Sequence, residues 1–185
     1  MSAILKKSLC CTWSHRANLP ASIKEKFGEL DQVVKEVISV AKSRLLIVAP
    51  YISAGGLKLI REPLITAINN GAWVRVVTAD LDANNHLNRK GFEALFQGDL
   101  GRRIKDRTRV LLCTDKMPVL FHAKIIVADS QFGYMGSANL SVSALADNFE
   151  IGSTLLPSEA EALDRLVDFL EAENFIKETS LSKTE

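Results

Sequence analysis

His122, Lys124, Asp129, Gly136, Ser137 and Asn139 stand in one stretch, FHAKIIVADSQFGYMGSAN, with the spacing H-x-K-x4-D-x6-G-S-x-N. These residue types suit chemistry at a phosphodiester. Imidazole is a competent nucleophile at neutral pH, and a lysine ammonium beside an amide stabilises the charge that builds on phosphoryl oxygens. A lone histidine near a lysine is more often structural. The Gly-Ser-x-Asn group at a fixed offset overturns that reading. The arrangement calls for no metal ligand set and no cofactor.

Positions two apart on a strand share a side, so His122 and Lys124 are expected to project together, with Ile125, Ile126 and Val127 anchoring the strand in the core. Gly136 permits close backbone approach, while Ser137 and Asn139 can donate to phosphate oxygens. Strands are expected over residues 121–128 and 132–135, with a turn at 129–131 between them. Phe121, Phe132 and Tyr134 are assigned to packing.

Upstream, Ile23, Phe27, Leu30, Val34, Val37 and Ala41 recur at helical spacing, with Ser22 and Glu25 as a capping box. The run RLLIVAPY over residues 44–51 reads as a strand buried on both faces. A helix within 57–70 should end at Gly71, with Pro63 kinking it or marking the first turn of a shorter one. Residues 73–78 and 109–113 read as further strands, with a weaker helix over 85–97 between them. A strand over 151–156 precedes a helix from Ser158 through Leu170, with Glu161 as its capping-box partner. The alternation predicts an α/β fold, a sandwich around a largely buried sheet.

The chain has 185 residues, 47% of them hydrophobic and 24% charged, which suits one globular domain with a full core. That domain is expected over 21–172, with an unassigned segment at 1–20 and a polar, fraying tail at 173–185. The formal net charge of +1 excludes a surface that binds polyanions as a whole, so any nucleic-acid contact must be local. Cys10, Cys11 and Cys113 offer no readable disulfide framework or metal knuckle. The opening MSAILKKSLCCTWSHR has no uninterrupted apolar run of leader type, and no stretch approaches a membrane span. A reducing, cytoplasmic setting is expected.

With these residues the chain resembles the phospholipase D superfamily. Its HKD motif is matched by His122, Lys124 and Asp129, and its Gly-Ser-x-Asn extension by Gly136, Ser137 and Asn139. In the following NLSVSALADNFEIG, Glu150 stands where family members commonly carry an acid that hydrogen-bonds the catalytic histidine. The resemblance implies an α-β-α sandwich around a mixed, largely buried sheet, and a two-step displacement. One histidine attacks phosphorus to give a phosphohistidine, a second protonates the leaving oxygen, and water then completes hydrolysis. By carry-over His122 is nucleophile or acid/base, Lys124 and Asn139 hold phosphate, and Ser137 is a further phosphate donor. Glu150 would orient His122, while Asp129 is more structural than catalytic.

The motif occurs once, since neither His15 nor His86 is followed two residues later by lysine. Short family members pair two copies across a two-fold axis, so a homodimer with a composite site is expected. Small single-motif members are mostly nucleases, which makes DNA or RNA the first substrate expectation and a bacterial defence or restriction complex a setting suggested by analogy. In GRRIKDRTR, Arg102, Arg103, Lys105 and Arg107 could form a basic rim beside the site, or an ordinary solvated loop. A phospholipid phosphodiesterase or transphosphatidylase, and a non-catalytic nucleic-acid-binding subunit, remain as alternatives.

Overall fold

The computed structural model describes residues 8–12, 20–79, 87–119 and 121–179. The described chain runs β1 (Leu9–Thr12), α1 (Ala21–Lys24), β2 (Gly28–Glu29), α2 (Leu30–Ser39), β3 (Arg44–Val48), α3 (Ala54–Leu59), α4 (Arg61–Asn69) and β4 (Trp73–Thr78). It continues through α5 (Leu87–Leu95), α6 (Gly98–Lys105), β5 (Thr108–Cys113), β6 (Ile125–Ala128), β7 (Phe132–Gly136), β8 (Glu150–Leu155), α7 (Pro157–Ala172) and β9 (Ile176–Glu178). Among the described residues the strands form one sheet in the order β2-β1-β8-β7-β6-β3-β4-β5-β9. The sheet is mixed: β3, β4 and β5 run parallel, while β6, β7 and β8 are joined antiparallel.

Period-two alternation divides the side chains of β3 between two cores. Leu45 and Ile47 face the layer that holds α2 and α4, and Leu46 and Val48 face the layer under α7. Because helices cover both faces here, β3 is apolar along its whole length after Arg44, as RLLIVAPY suggests. An α-β-α sandwich results, as expected.

Several elements depart from the sequence expectations, each for a tertiary reason. The long helix expected from Ile23 to Ala41 is interrupted, because Gly28 and Glu29 pair with Cys10 and Cys11 of β1. Ser22 therefore lies inside α1 rather than just before a long helix. A side chain at Gly28 would lie 3.3 Å from Val33, so glycine suits the change of course. The helix expected within 57–70 divides at Ile60, and Pro63 falls in the first turn of α4, where its missing N–H costs no intrahelical bond.

Pro157 opens α7 one residue before the expected Ser158, and Glu159, rather than Glu161, accepts the Leu156 N–H at 2.7 Å. Glu161 pairs with Arg165 instead. Past Glu173 the chain does not fray at once: Ile176 is fully buried and β9 pairs antiparallel with β5. The sheet thus reaches beyond 21–172 on both sides, through β1 and β9. Cys10, Cys11 and Cys113 are free thiols. No helix among the described residues is long and apolar enough to cross a membrane.

A charged clasp fastens α7. Arg44 and Arg75 both donate to buried Asp164, at 2.8 and 3.0 Å, and the Ser130 hydroxyl reaches its other oxygen. Asp168 takes the same two arginines, and Glu171 takes Arg75 and Arg109. Asp164 is only 2% exposed, so removing an arginine would leave a buried carboxylate short of donors.

Candidate active site

His122 and Lys124 lie just before β6, not within it as the sequence suggests, because the regular ladder begins only at Ile125. The Gly136 N–H still donates to the Lys124 carbonyl at 3.2 Å, which ties this lead-in to the end of β7. His122 is exposed and Lys124 is buried beneath it. The Lys124 ammonium lies 2.9 Å from His122 Nδ1 and 3.0 Å from Nε2, and donates to the His122 carbonyl at 2.8 Å. Whichever ring nitrogen is unprotonated can accept from it. Burial pushes the Lys124 ammonium below its ordinary pKa, and the charge of Glu150 opposes that shift.

Gly136 to Asn139 cross the end of β7 beside this pair. Gly136 is paired with Gly152 of β8, and the Tyr134 ring lies over both. A side-chain carbon on Gly136 would sit 2.3 Å from the Tyr134 oxygen, and one on Gly152 would sit 2.2 Å from its ring. Close approach, expected of Gly136, is thus enforced by a tyrosine from the same strand. The Ser137 hydroxyl donates to Glu150 and accepts the Ile151 N–H at 3.2 Å. Its one proton is therefore engaged with a carboxylate. Asn148 also donates to Glu150, at 3.4 Å, so Glu150 is bound to Ser137 and Asn148 within this copy rather than to His122.

Asn139 is part-buried, and its Oδ1 is enclosed without a protein partner. It lines a small cavity with Lys124, Tyr134 and apolar residues that include Ile47 and Leu145. From Ser143 to Asp147 the backbone forms a π-helical turn that places Ala144 and Leu145 in the core behind the loop. Such turns recur at functional sites.

The loop after β3 is locked to this region. Ile52 bridges Leu140, and the Ser53 N–H donates to the Leu140 carbonyl at 3.0 Å. Buried Asn88 accepts the Ile52 N–H at 2.7 Å and donates to Pro50 and Thr78. Sequence reasoning missed Tyr134 as a support, along with Asn88 and Asn148. A signal for Tyr134 was present in the spacing Y-x-G, since a large ring two residues before glycine lies on the same face of the strand.

Asp129 sits at the far end of β6, roughly 16 Å of strand away from Lys124. It opens the three-residue turn from Asp129 to Gln131, in which Asp129 and Ser130 have φ of 54° and 55°. Its carboxylate accepts from the backbone N–H groups of Lys42, Ser43 and Arg44 and from the Ser43 hydroxyl, all within 2.8–2.9 Å. Burial, the largest single influence, would raise its pKa. The combined donors of Arg44, Ser43 and Lys42 hold it below the usual carboxylate value.

The basic residues expected as a rim beside the site are also at this far end. Val48, at the end of β3, pairs with Ile125, whereas Arg44 pairs with Trp73, next to Arg107. The segment is α6 rather than a loop: Arg103 reaches Asn69, Arg102 pairs with Asp99, and Arg107 covers the Trp73 ring at 4.7 Å. Arg102, Arg103 and Lys105 stand in the last turn of α6, where cations offset the partial negative charge of a helix C-terminus. Among the described residues no group of three or more His, Cys, Asp or Glu side chains is placed to hold a metal ion.

The family model described as cardiolipin synthase, PLD-like domain, matches residues 34–168. No curated protein sequence matches the chain. Among solved structures it is similar to the phospholipase D family member Nuc from Salmonella typhimurium, with a TM-score of 0.60 at 19% identity over 93% of this chain and 97% of that one. NucT from Helicobacter pylori gives 0.60 at 18% identity over 93% and 98%. Phosphatidylserine synthase from Haemophilus influenzae Rd KW20 gives 0.61 at 17% identity over 93% of this chain and 39% of the synthase. A match over most of the chain, carried on the same α/β sandwich, places this protein in the phospholipase D superfamily of phosphodiesterases.

Proposed function

We propose that this protein is a nuclease that cleaves DNA or RNA through a phosphohistidine, at a site completed by a second copy of the chain. The observation that carries the reading is the exposed His122 ring held against the buried Lys124 ammonium, with Asn139 alongside. A ring nitrogen of His122 attacks phosphorus, the P–N bond forms as the P–O bond breaks, and the leaving oxygen takes a proton from His122 of the second copy. Water then attacks the intermediate and regenerates the imidazole. Lys124 and Asn139 bear the charge on the non-bridging oxygens. Glu150, held by Ser137, stabilises the Lys124 charge and orients the site.

Tyr51, Val119, Met135, Phe149 and Ile151 are all exposed apolar residues, borne by β7, β8 and the loops at this end of the sheet. That surface suits a two-fold contact that brings two His122 rings together. The near end-to-end likeness to Nuc and NucT supports a short single-motif enzyme of this kind.

A phospholipid substrate is the second reading. The same exposed Tyr51 and Phe149, together with the likeness to phosphatidylserine synthase, favour it. The deciding experiment is cleavage of labelled single- and double-stranded DNA and RNA in EDTA, wild type beside His122→Ala, with phosphatidylglycerol vesicles as a parallel substrate. Nucleic-acid cleavage lost in the variant supports the nuclease. Turnover of lipid alone replaces it with the second reading, and EDTA-sensitive cleavage overturns the metal-independent chemistry.

A further inference from the structure

Near the site, buried Asn139 Oδ1 has no protein hydrogen-bond partner and the buried Tyr134 hydroxyl donates to no protein atom among the described residues, and both residues line the same cavity of about 10 Å³. Orphaned buried polar atoms are costly, and a space of this size with two or more polar partners holds one water. Tyr134 is 2% exposed, and its ring is fixed by the Gly136–Gly152 pair, so its oxygen has one place to be. Lys124 also lines this cavity, its ammonium being turned to His122.

We infer that this cavity is a water site and that Tyr134, acting through that water, is a positioning residue for the Asn139 amide. The phenol donates to the water, and the water donates to Asn139 Oδ1. With its carbonyl oxygen held inward, Asn139 turns its NH2 group outward, toward the phosphate oxygen it holds in the function proposed above, on which this role rests. The phenol stays protonated: burial raises its pKa, the Cys10 and Glu150 charges add to this, and the nearby Ala138 N–H only partly opposes it.

The test pairs a structural readout with a kinetic one. A high-resolution crystal structure should show an ordered water 2.7–3.2 Å from both Tyr134 Oη and Asn139 Oδ1. In Tyr134→Phe, which keeps the ring on the glycines, that water should be lost. A dry cavity, or a Tyr134 hydroxyl satisfied by protein atoms alone, overturns the inference whether or not the enzyme acts on phosphodiesters. On bis(p-nitrophenyl) phosphate, Tyr134→Phe should lower kcat about tenfold, as a misplaced phosphate-binding group does. In an Asn139→Ala background the same change should cost nothing further, because the group it positions is gone. Full additivity would reduce Tyr134 to a packing role. Absence of turnover by the wild type would count against the proposed function and leave the water site to be decided by the crystal.

Discussion

The two ends of the β6–β7 hairpin carry residues of one motif and treat their polar atoms in opposite ways. At the turn, both Asp129 oxygens are filled by four donors from the start of β3. At the open end His122 is exposed, Lys124 is buried with its pKa lowered, and Asn139 Oδ1 finds no protein partner. A carboxylate saturated by a distant segment holds the fold, whereas among the described residues the His122 and Lys124 side chains bond only within this pair and leave an exposed imidazole for a ligand. Motif spacing alone does not separate the two roles, but hydrogen-bond satisfaction does.

The largest effect is expected at the open end. His122→Ala should reduce turnover by roughly 10³-fold or more, while urea unfolding shifts by no more than about 0.5 kcal/mol, as for other exposed positions. Comparable turnover in the variant would break the contrast at its strongest point.

Asp129→Ala should do the reverse. It orphans three backbone N–H groups and should lower stability by about 2 kcal/mol in urea unfolding, with kcat per folded molecule little changed. Because the Asp129 pKa is depressed from 3.8, its stabilisation is complete above that value and is lost as pH falls through the lower folded value. The variant should therefore lose stability less steeply on the acid side. A fall in kcat without a fall in stability would move Asp129 into the catalytic group.

A smaller effect is expected from Glu150→Gln. The Lys124 ammonium already titrates below the ordinary 10.5, chiefly through burial, and Glu150 opposes that shift. Without the carboxylate the lysine deprotonates at still lower pH, so the alkaline limb of kcat should move down. An unmoved or rising limb would show that Glu150 does not act on Lys124. The smallest effect belongs to Arg103→Ala with Arg107→Ala. These cations sit at the end of the sheet away from His122, so kcat/KM on a short oligonucleotide should change less than about twofold, in keeping with surface charges outside the contact region. A large loss there would extend the substrate path around the molecule.

The candidate site residues were legible in the sequence because the chemistry they suit fixes identity and offset together. Buried strands such as β3 and β4 were legible from their unbroken apolar runs. What escaped was set by partners distant in the chain. Nothing local announces that Gly28 leaves a helical pattern to pair with Cys10, or that Ile176 closes the sheet against Cys113. The basic run read as a possible rim because its sequence lies close before the motif, but the parallel register of β4 and β5 carries it to the opposite end. Tyr134 was recognised as core, but the role of its hydroxyl depends on Gly136 lying opposite Gly152.

The placement of β1 has a consequence for the order of assembly. Leu9 to Thr12 occupy an interior position, flanked by β2 and β8, with Leu9 opposite Ser153. Leu9 and Ser153 are separated by 144 residues, so β1 can pair with nearby β2, and β3, β4 and β5 with one another, before its partner β8 is in place. Until it docks, β8 presents an open edge at the very strand that carries Glu150, inviting a copy of β1 from a neighbouring chain. Pulse-labelled hydrogen exchange should find the amides of β1 protected after those of β3 and β4.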